Sequence, residues 1–234
     1  MLLIKNGTVN TITKGIQKIG ILIKDKKIVA MGEKLNSLST EFVLDGEVIG
    51  REDDYEELNK ELRANGEFDF DPNTDTLEII DAQVQFIYPR SIDAHTHLGL
   101  WEDGMGVEGA DGNEETDPIT PHLNVIDGIN PMDRTFKEAY EGGITAVCTT
   151  PGSANVMGGQ AAAIKTFGRR IDKMIIKNPV ASKVAFGENP KSCYGSNDDT
   201  PQTRMAIAAL LRENLRKAEE YLFDLKSAEE DEDI

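Results

Sequence analysis

The 234-residue chain has little of several features that define large classes of proteins. It has two cysteines, Cys148 and Cys193, which are too few for a disulfide framework or for a zinc site made of cysteines alone. No apolar run approaches the roughly 18 consecutive residues that a membrane span requires. The first residues do not have the charged start, apolar stretch and small-residue cleavage site of a signal peptide. We therefore expect a cytoplasmic protein without a membrane partner.

Basic residues are also scarce relative to acidic ones, 25 against 42, so the net charge is −17. The excess is local, because residues 41–81 hold 15 acidic and 3 basic residues and residues 229–233 are all acidic. Charges balance in the rest of the chain. Nucleic-acid binding requires a basic stripe, and the sequence has none. We expect no nucleic-acid partner.

Short apolar runs separated by turn residues predict a small β unit over residues 1–35. Residues 36–77 differ in character and predict an acidic insertion that contains a short helix at about 53–64. Within it, residues 69–75 alternate oxygen-bearing side chains as a calcium loop does. Thr74 and Ile80 stand where such a loop requires glycine and glutamate, so a solvated acidic loop is the expectation.

From residue 78 onward, apolar runs with the character of strands alternate with helical patterns. We predict strands at about 91–97, 144–150 and 183–187. A helix at 131–141 has Asn130 as its N-cap and Pro131 at its first position, and a long helix at 201–226 has Thr200 as its cap. Strands that alternate with helices are typical of parallel α/β architecture.

The clearest chemical signal is the run Asp93-Ala94-His95-Thr96-His97 at the end of an apolar strand. Side chains alternate across a strand, so His95 and His97 share one face with Cα atoms ~6.6 Å apart. Two imidazoles at that spacing can converge on one divalent ion. Asp93 has the same parity and suits a supporting hydrogen bond. The alternative is a pair of exposed strand histidines with no ligand.

The segment FIYPRSIDAHTHLG, preceded by a β unit, resembles the entry strand of the metal-dependent amidohydrolase superfamily. Further segments, GGITAVCTTPGSANVMGGQ and KVAFGENPKSCYG, resemble the branch related to imidazolonepropionase. The resemblance covers residues 1–35 and 79–226. It implies a small β-sandwich-like domain before a (β/α)8 TIM barrel of the amidohydrolase type, with the two histidines on the first barrel strand holding metal.

On this basis the domains are 1–35 plus 78–88 as the small β domain, 36–77 as the acidic insertion, 89–226 as the N-terminal part of the barrel, and 227–234 as an acidic tail. A complete barrel takes ~250 residues, whereas 144 residues follow from Ser91. The superfamily's later histidine ligands and final aspartate have no match, since only His122 remains. We expect a portion of a larger protein; completion by another polypeptide or copy and a degenerate site are the alternatives.

The resemblance also implies a bridging ligand from a middle strand, a carbamylated lysine in many members. Lys183, which opens an apolar run, is the candidate for this ligand, and Lys165 is its rival. A lysine on a strand is otherwise a solvated or salt-bridged residue.

Substrate-binding candidates lie in two loops that follow predicted strands. Ser153 and Asn155 belong to a loop rich in small residues, and Glu188 and Asn189 follow Gly187. In a barrel such loops form the substrate-binding face. The structural alternatives are a tight turn that requires positive φ for the first loop and a capped entry into the next helix for the second.

Together these features predict a metal-dependent hydrolase that uses a divalent ion, most simply zinc, to activate water against a non-peptide or small-peptide C–N bond. The substrate is a small molecule. The catalytic aspartate that the resemblance implies is not present in this chain. The alternative function is a catalytically incomplete half-barrel that serves as a binding or assembly subunit.

Overall fold

The computed structural model describes residues 1–37, 59–60, 77–196 and 199–232. Its contacts divide the chain into two compact units, Met1–Pro89 and Arg90–Ile234. The described residues form an α/β protein. The calcium-like loop lies outside the described residues, as do most of the 36–77 insertion and the predicted helix at 53–64, of which only residues 59–60 are described and are helical.

Two small sheets make up the first unit. A four-stranded sheet has the order β5-β4-β1-β6, and a three-stranded sheet has the order β3-β2-β7. The last strand of each sheet runs parallel to a strand from the start of the chain, β6 to β1 and β7 to β2. The strand bounds are β1 (Leu2–Lys5), β2 (Thr8–Asn10), β3 (Ile16–Lys18), β4 (Gly20–Lys24), β5 (Lys27–Gly32), β6 (Glu78–Asp81) and β7 (Phe86–Ile87).

Side-chain alternation along β4 explains how the larger sheet is buried on both faces. Leu22 lies on one face and Ile21 lies on the other, as the period of a strand requires. The Leu22 face packs beneath a 3₁₀ helix, Glu33–Ser37, with Leu3, Ala30, Leu35 and Leu77. The Ile21 face packs with Val9 and Ile19 and with Ile87 of the smaller sheet.

One four-stranded sheet organises the second unit. Its strands are β8 (Ser91–Thr96), β9 (Ile144–Thr149), β10 (Met157–Lys165) and β11 (Ile175–Val184), in the order β11-β10-β9-β8. A buried apolar cluster supports the sheet and includes Leu100, Phe136, Val147, Ile164 and Met174. Within the described ranges no sheet closes into a barrel.

The sheet is mixed, and the expectation of purely parallel strands was wrong. Only β8 and β9 are parallel, whereas β10 is antiparallel to both β9 and β11. The physical reason is connection length. A parallel crossover requires about a dozen residues, and only Thr150–Val156 separate β9 from β10.

The helices begin later than their sequence patterns predict. The α-helices whose bounds the described ranges give are α1 (Arg134–Glu141), α2 (Ile171–Met174), α3 (Glu188–Gly195) and α4 (Arg204–Glu232). Asp133, rather than Asn130, caps α1, because its carboxylate accepts from the backbone N–H of Thr135 at 2.7 Å. Asn130 instead accepts from the N–H of Met132 in the preceding turn.

The long helix α4 differs at both ends from the predicted helix at 201–226. The Thr203 hydroxyl accepts from the N–H of Ala206 near its start, and the helix continues through Glu232 in the acidic tail. It spans 29 residues but is rich in charge. Among the described residues, no helix combines the length and the apolar character needed to cross a bilayer.

We expect Asp133→Ala to reduce the free energy of unfolding by about 1–2 kcal/mol, as N-cap removal does. Burial disfavours the charged carboxylate. Hydrogen bonds from Thr135 and from the Asp103 N–H, with the nearby Arg134 charge, outweigh this effect and hold the pKa of Asp133 below its ordinary value. The pKa is lowered on folding, so the stabilisation is complete above the ordinary carboxyl pKa and is lost as the pH falls through the lowered value.

Urea unfolding at several pH values measures this contribution. The matched control is Asp133→Asn, which retains a capping oxygen and should lose less stability at neutral pH. Equal losses for the alanine and asparagine variants would show that capping is not the source of the stabilisation.

Candidate functional site

His95 and His97 lie together at the carboxyl end of β8. His95 belongs to the strand and is exposed, and His97 directly follows the strand and is half-buried. Their ring centroids are 5.3 Å apart, and the ring planes meet at 76°. The structure thus brings the two imidazoles close enough for one ion to contact both.

A backbone carbonyl orients the ring of His97. Its Nδ1 lies 2.8 Å from the carbonyl oxygen of Thr150. A carbonyl only accepts, so Nδ1 carries a proton and donates it, and in the neutral form of the ring Nε2 is the nitrogen that has the free lone pair. Thr150 is itself tied to β8, because its N–H donates to the carbonyl of Thr96 at 2.9 Å. Metal-ligating histidines are characteristically oriented in this way.

Asp93 supports the backbone of the histidine segment. Its carboxylate accepts a hydrogen bond from the N–H of His95 at 3.1 Å. The side chain is partly buried. This contact agrees with a supporting role for Asp93.

Lys183 is the third group at the histidine pair. Its Nζ lies 3.4 Å from Nε2 of His95. Lys183 belongs to β11, and two strands separate β11 from β8 in the sheet. In a flat sheet the two backbones would be ~14 Å apart. The amine and the imidazole therefore meet by reaching across the two intervening strands.

The rival lysine lies elsewhere. Lys165 is the last residue of β10, is exposed, and pairs in register with Ala146 near the start of β9. The histidines lie beside the other end of β9, where Thr96 pairs with Thr149. The structure thus brings Lys183, and not Lys165, to the histidines.

The ligand set within the described residues consists of two imidazoles and one amine. No group of three or more histidine, cysteine, aspartate or glutamate side chains in these ranges is arranged to hold a metal ion. His122 is exposed in the loop before the 3₁₀ helix Val125–Asp127. The donors fit a divalent ion chemically, since imidazole nitrogen is a zinc ligand and a carbamylated lysine would add an anionic oxygen.

Asn155 has an internal position that its sequence pattern does not indicate. It is 2% exposed, and its amide Nδ2 lies within 2.7–2.8 Å of the carbonyl oxygens of Glu114 and Asp117. The Tyr194 hydroxyl lies 3.0 Å from the same amide and contacts both carbonyls. Burial raises the pKa of Tyr194, so the phenol remains protonated and can donate. This placement favours a structural role for Asn155 over substrate contact.

The other substrate-binding candidates lie nearer the surface. Ser153 is half-buried in the loop after β9. Glu188 and Asn189 are exposed in the first turn of α3, and Glu188 forms an ion pair with Lys191 at 3.5 Å. They follow β11 closely, so they lie a few residues beyond Lys183.

Two glycines, Gly152 in the β9–β10 loop and Gly159 in β10, allow close approach of other groups and do not adopt positive φ. Gly152 donates its N–H to the carbonyl of Gly112 at 2.7 Å, and a Cβ at Gly152 would overlap the side chain of Asn113. A Cβ at Gly159 would meet the carbonyl oxygen of Leu123 at 2.5 Å. The expectation of a turn requiring positive φ was therefore wrong for these two positions.

A cavity of about 940 Å³ in the first unit does not contain the candidate chemistry. Its lining includes seven isoleucines as well as polar side chains. A smaller cavity of about 210 Å³ in the second unit borders Pro151, Asn155 and Gly159 and also carries three carboxylates, Asp111, Glu114 and Asp127. Neither cavity is lined by His95 or His97, the residues that bring metal-binding groups together.

Sequence reasoning missed two contributors to the site, Trp101 and the backbone carbonyl of Thr150. The indole of Trp101 contacts the His97 ring, with centroids 5.2 Å apart. Trp101 is the only tryptophan in the sequence and follows His97 by four residues. This proximity in sequence was the feature that could have indicated a contact with His97. A carbonyl contact made 53 positions away leaves no signature in the sequence.

We expect Asn155→Ala to destabilise the protein by about 1–3 kcal/mol, because buried carbonyl groups lose a donor. Tyr194→Phe, which keeps the ring and removes the hydroxyl, should destabilise it in the same direction. Ser153→Ala in the same loop is the control and should change stability by less than about 0.5 kcal/mol. Urea unfolding gives the three values, and equal effects of Asn155→Ala and Ser153→Ala would rule out a structural amide.

Two known proteins resemble this chain. Over 156 residues it is 33% identical to amidohydrolase tasK of Hapsidospora irregularis, an alignment that covers 62% of this chain and 16% of that protein. The crystal structure of an amidohydrolase from Thermotoga maritima MSB8 matches with a TM-score of 0.75 and 35% identity, over 98% of this chain and 50% of that one. No protein-family model matches. The chain thus spans half or less of either relative, and both relatives support an amidohydrolase family for it.

Proposed function

We propose that this chain forms part of a metal-dependent hydrolase that cleaves a non-peptide or small-peptide C–N bond in a small-molecule substrate. The observation that carries the proposal is the close approach of His95, His97 and Lys183, which belong to one sheet or directly follow its strand β8. The names of the two relatives support the hydrolase class. The proposal includes the branch related to imidazolonepropionase and assigns β8 as the first strand of a (β/α)8 barrel.

His95 and His97 would hold a divalent ion, most simply zinc, through ring nitrogens. The Thr150 carbonyl keeps the proton of His97 on Nδ1 and so leaves Nε2 available. Lys183 would contribute after its neutral amine adds carbon dioxide, a step that forms an N–C bond, releases one proton and yields a carbamate. The short separation of Lys183 from His95 supports this assignment.

When bound, the ion would polarise a substrate carbonyl and activate a water molecule. The chain's own residues orient the ligands: Thr150 holds His97, and Asp93 holds the backbone at His95. Ser153, Glu188 and Asn189 would contact the substrate from loops that follow strands of the same sheet. The group that moves a proton to the leaving nitrogen is proposed to come from outside these 234 residues.

A second candidate function is that of a binding or assembly subunit without catalysis. It is favoured by the ligand set in the described residues, which holds two imidazoles and one amine where a zinc site usually has at least three protein ligands. A complementary chain or a second copy would then complete the site. In either case we propose a cytoplasmic protein.

We expect this chain alone to bind zinc weakly and to hydrolyse amide substrates inefficiently, because two histidines supply half of a tetrahedral shell. Calorimetric titration with zinc measures the affinity. The double variant His95→Ala, His97→Ala should abolish the heat signal of zinc binding at the site. His122→Ala, which alters the exposed third histidine, should leave that signal unchanged. Zinc binding that survives in the double variant would overturn the assignment of the two histidines as ligands. Tight stoichiometric binding by the wild type that is lost in the double variant would show that the site is complete within this chain.

We further expect bicarbonate to strengthen zinc binding by the wild-type chain, because it supplies the carbon dioxide for the Lys183 carbamate. Lys183→Met should bind zinc more weakly and should not respond to bicarbonate. The matched control is Lys165→Met, since Lys165 lies at the other end of β9. A bicarbonate response that persists in Lys183→Met would exclude this lysine as the third ligand.

A further inference from the structure

The sole tryptophan of the chain lies beside the proposed metal ligands. The Trp101 indole and the His97 imidazole have centroids 5.2 Å apart and planes at 79°, an edge-to-face arrangement. The indole is 40% exposed, so more than half of it is covered by the protein. A tryptophan side chain with this much exposed surface stays in one position only if specific contacts hold it there.

The loop that carries Trp101 is fixed by backbone contacts. Trp101 forms a bridge with Ala110, and the N–H of Asp111 donates to the carbonyl of Leu100 at 2.9 Å. The carbonyl of Gly112 accepts from the N–H of Gly152 at 2.7 Å, which ties this loop to the segment after β9. The indole is thus attached to the same strand end that supplies the carbonyl of Thr150.

The backbone of Gly112 is the surface, here called the seat, on which the indole of Trp101 packs. A Cβ at this position would overlap three atoms of the six-membered ring of Trp101. The ring therefore lies directly against the glycine backbone, and no other residue type leaves that space. This close contact holds one face of the indole against the backbone of Gly112.

Three groups surround the His97 ring. The Thr150 carbonyl accepts from Nδ1, the ring of His95 lies 5.3 Å away, and the indole of Trp101 lies at a similar distance. The hydrogen bond selects the tautomer but leaves the ring free to rotate if the bond opens. An aromatic wall on another side opposes that rotation.

We propose that Trp101, seated on Gly112, is a positioning residue that keeps His97 in the orientation selected by Thr150, with Nε2 free for a metal ion. The metal part of this inference rests on the proposed function, whereas the orientation of His97 does not. Loss of the indole should weaken metal binding by about 3- to 10-fold, less than the ~10- to 100-fold typical of a lost hydrogen-bonding partner of a ligand.

Two variants separate the aromatic contact from simple bulk. Trp101→Leu keeps an apolar side chain but removes the aromatic edge, and Trp101→Phe restores an edge-to-face partner. Far-UV circular dichroism first establishes that each variant is folded. We expect the phenylalanine variant, but not the leucine variant, to keep the wild-type orientation of His97.

The first measurement is metal-free and uses the chain's three histidines. Long-range ¹H–¹⁵N spectra at about pH 8 report the tautomer of each neutral imidazole, and the variants His95→Gln, His97→Gln and His122→Gln assign the signals. We expect His97 to show one Nδ1–H form in the wild type and in Trp101→Phe, and a mixture in Trp101→Leu. Exposed His122 serves as an internal reference. An unchanged His97 signal in Trp101→Leu would overturn the proposal.

The second measurement uses the tryptophan as a reporter and zinc as the ligand. Copper(II) held by His97 should quench the wild-type emission, because the only indole is in ring contact with that residue. Calorimetry with zinc should then give the 3- to 10-fold loss for Trp101→Leu and near-wild-type affinity for Trp101→Phe. Equal zinc affinity in all three proteins would remove the role of Trp101 in metal binding.

Gly112→Ala tests the seat independently, because it displaces the indole without changing it. It should reproduce the His97 spectrum of Trp101→Leu, and adding it to Trp101→Leu should change that spectrum little further. Additive effects would contradict a shared cause.

If the wild type binds neither metal but the His97 spectrum responds as expected, the proposed function fails and the positioning role stands. If the wild type binds metal but the His97 spectrum is the same in every variant, the positioning role fails and the proposed function stands.

Discussion

The parallel pairing of β8 with β9 is the constraint on which the candidate site depends. Its register sets Asp93 opposite Val147 and Thr96 opposite Thr149, so the chain leaves both strands at the same level. The next residue, Thr150, can then donate to Thr96 and present its carbonyl to His97. A slip of one residue would move every β8 side chain to the other face of the sheet. The tautomer of His97 is thus a consequence of strand register.

The reach of Lys183 toward His95 is the second requirement, because two strands separate β11 from β8. The pairing of β10 with β11 contains several register shifts, and such irregularities bend strands and increase their twist. A Cβ at Gly158 would lie in contact with Lys183, and a Cβ at Gly159 would overlap the backbone of Leu123. Glycine at these two positions therefore lets β10 pack closely against both neighbours.

Local patterns predicted the presence of elements better than their ends or directions. The apolar runs at β8 and β9 and the helices α1 and α4 were recognisable, because burial of one face imposes a period on the sequence. The cap of α1 was misplaced because Asn130 and Asp133 are both good capping residues, and the choice depends on which one the turn at 130–133 brings to the helix end. The strand β10 was not predicted, because its run of glycine and alanine lacks the β-branched residues that mark a strand in sequence.

The sequence by itself determined the chemistry that is available at the site. Alternation along a strand predicts that His95 and His97 share one face, and two imidazoles at that spacing favour a divalent ion. Tertiary structure alone decided which lysine reaches the pair, since His95 and Lys183 are 88 positions apart and meet only across the strands of one sheet. It also assigned Asn155 to an internal network and Trp101 to His97. Such assignments depend on the packing of segments that are distant in the chain, and no local pattern encodes the distances between them.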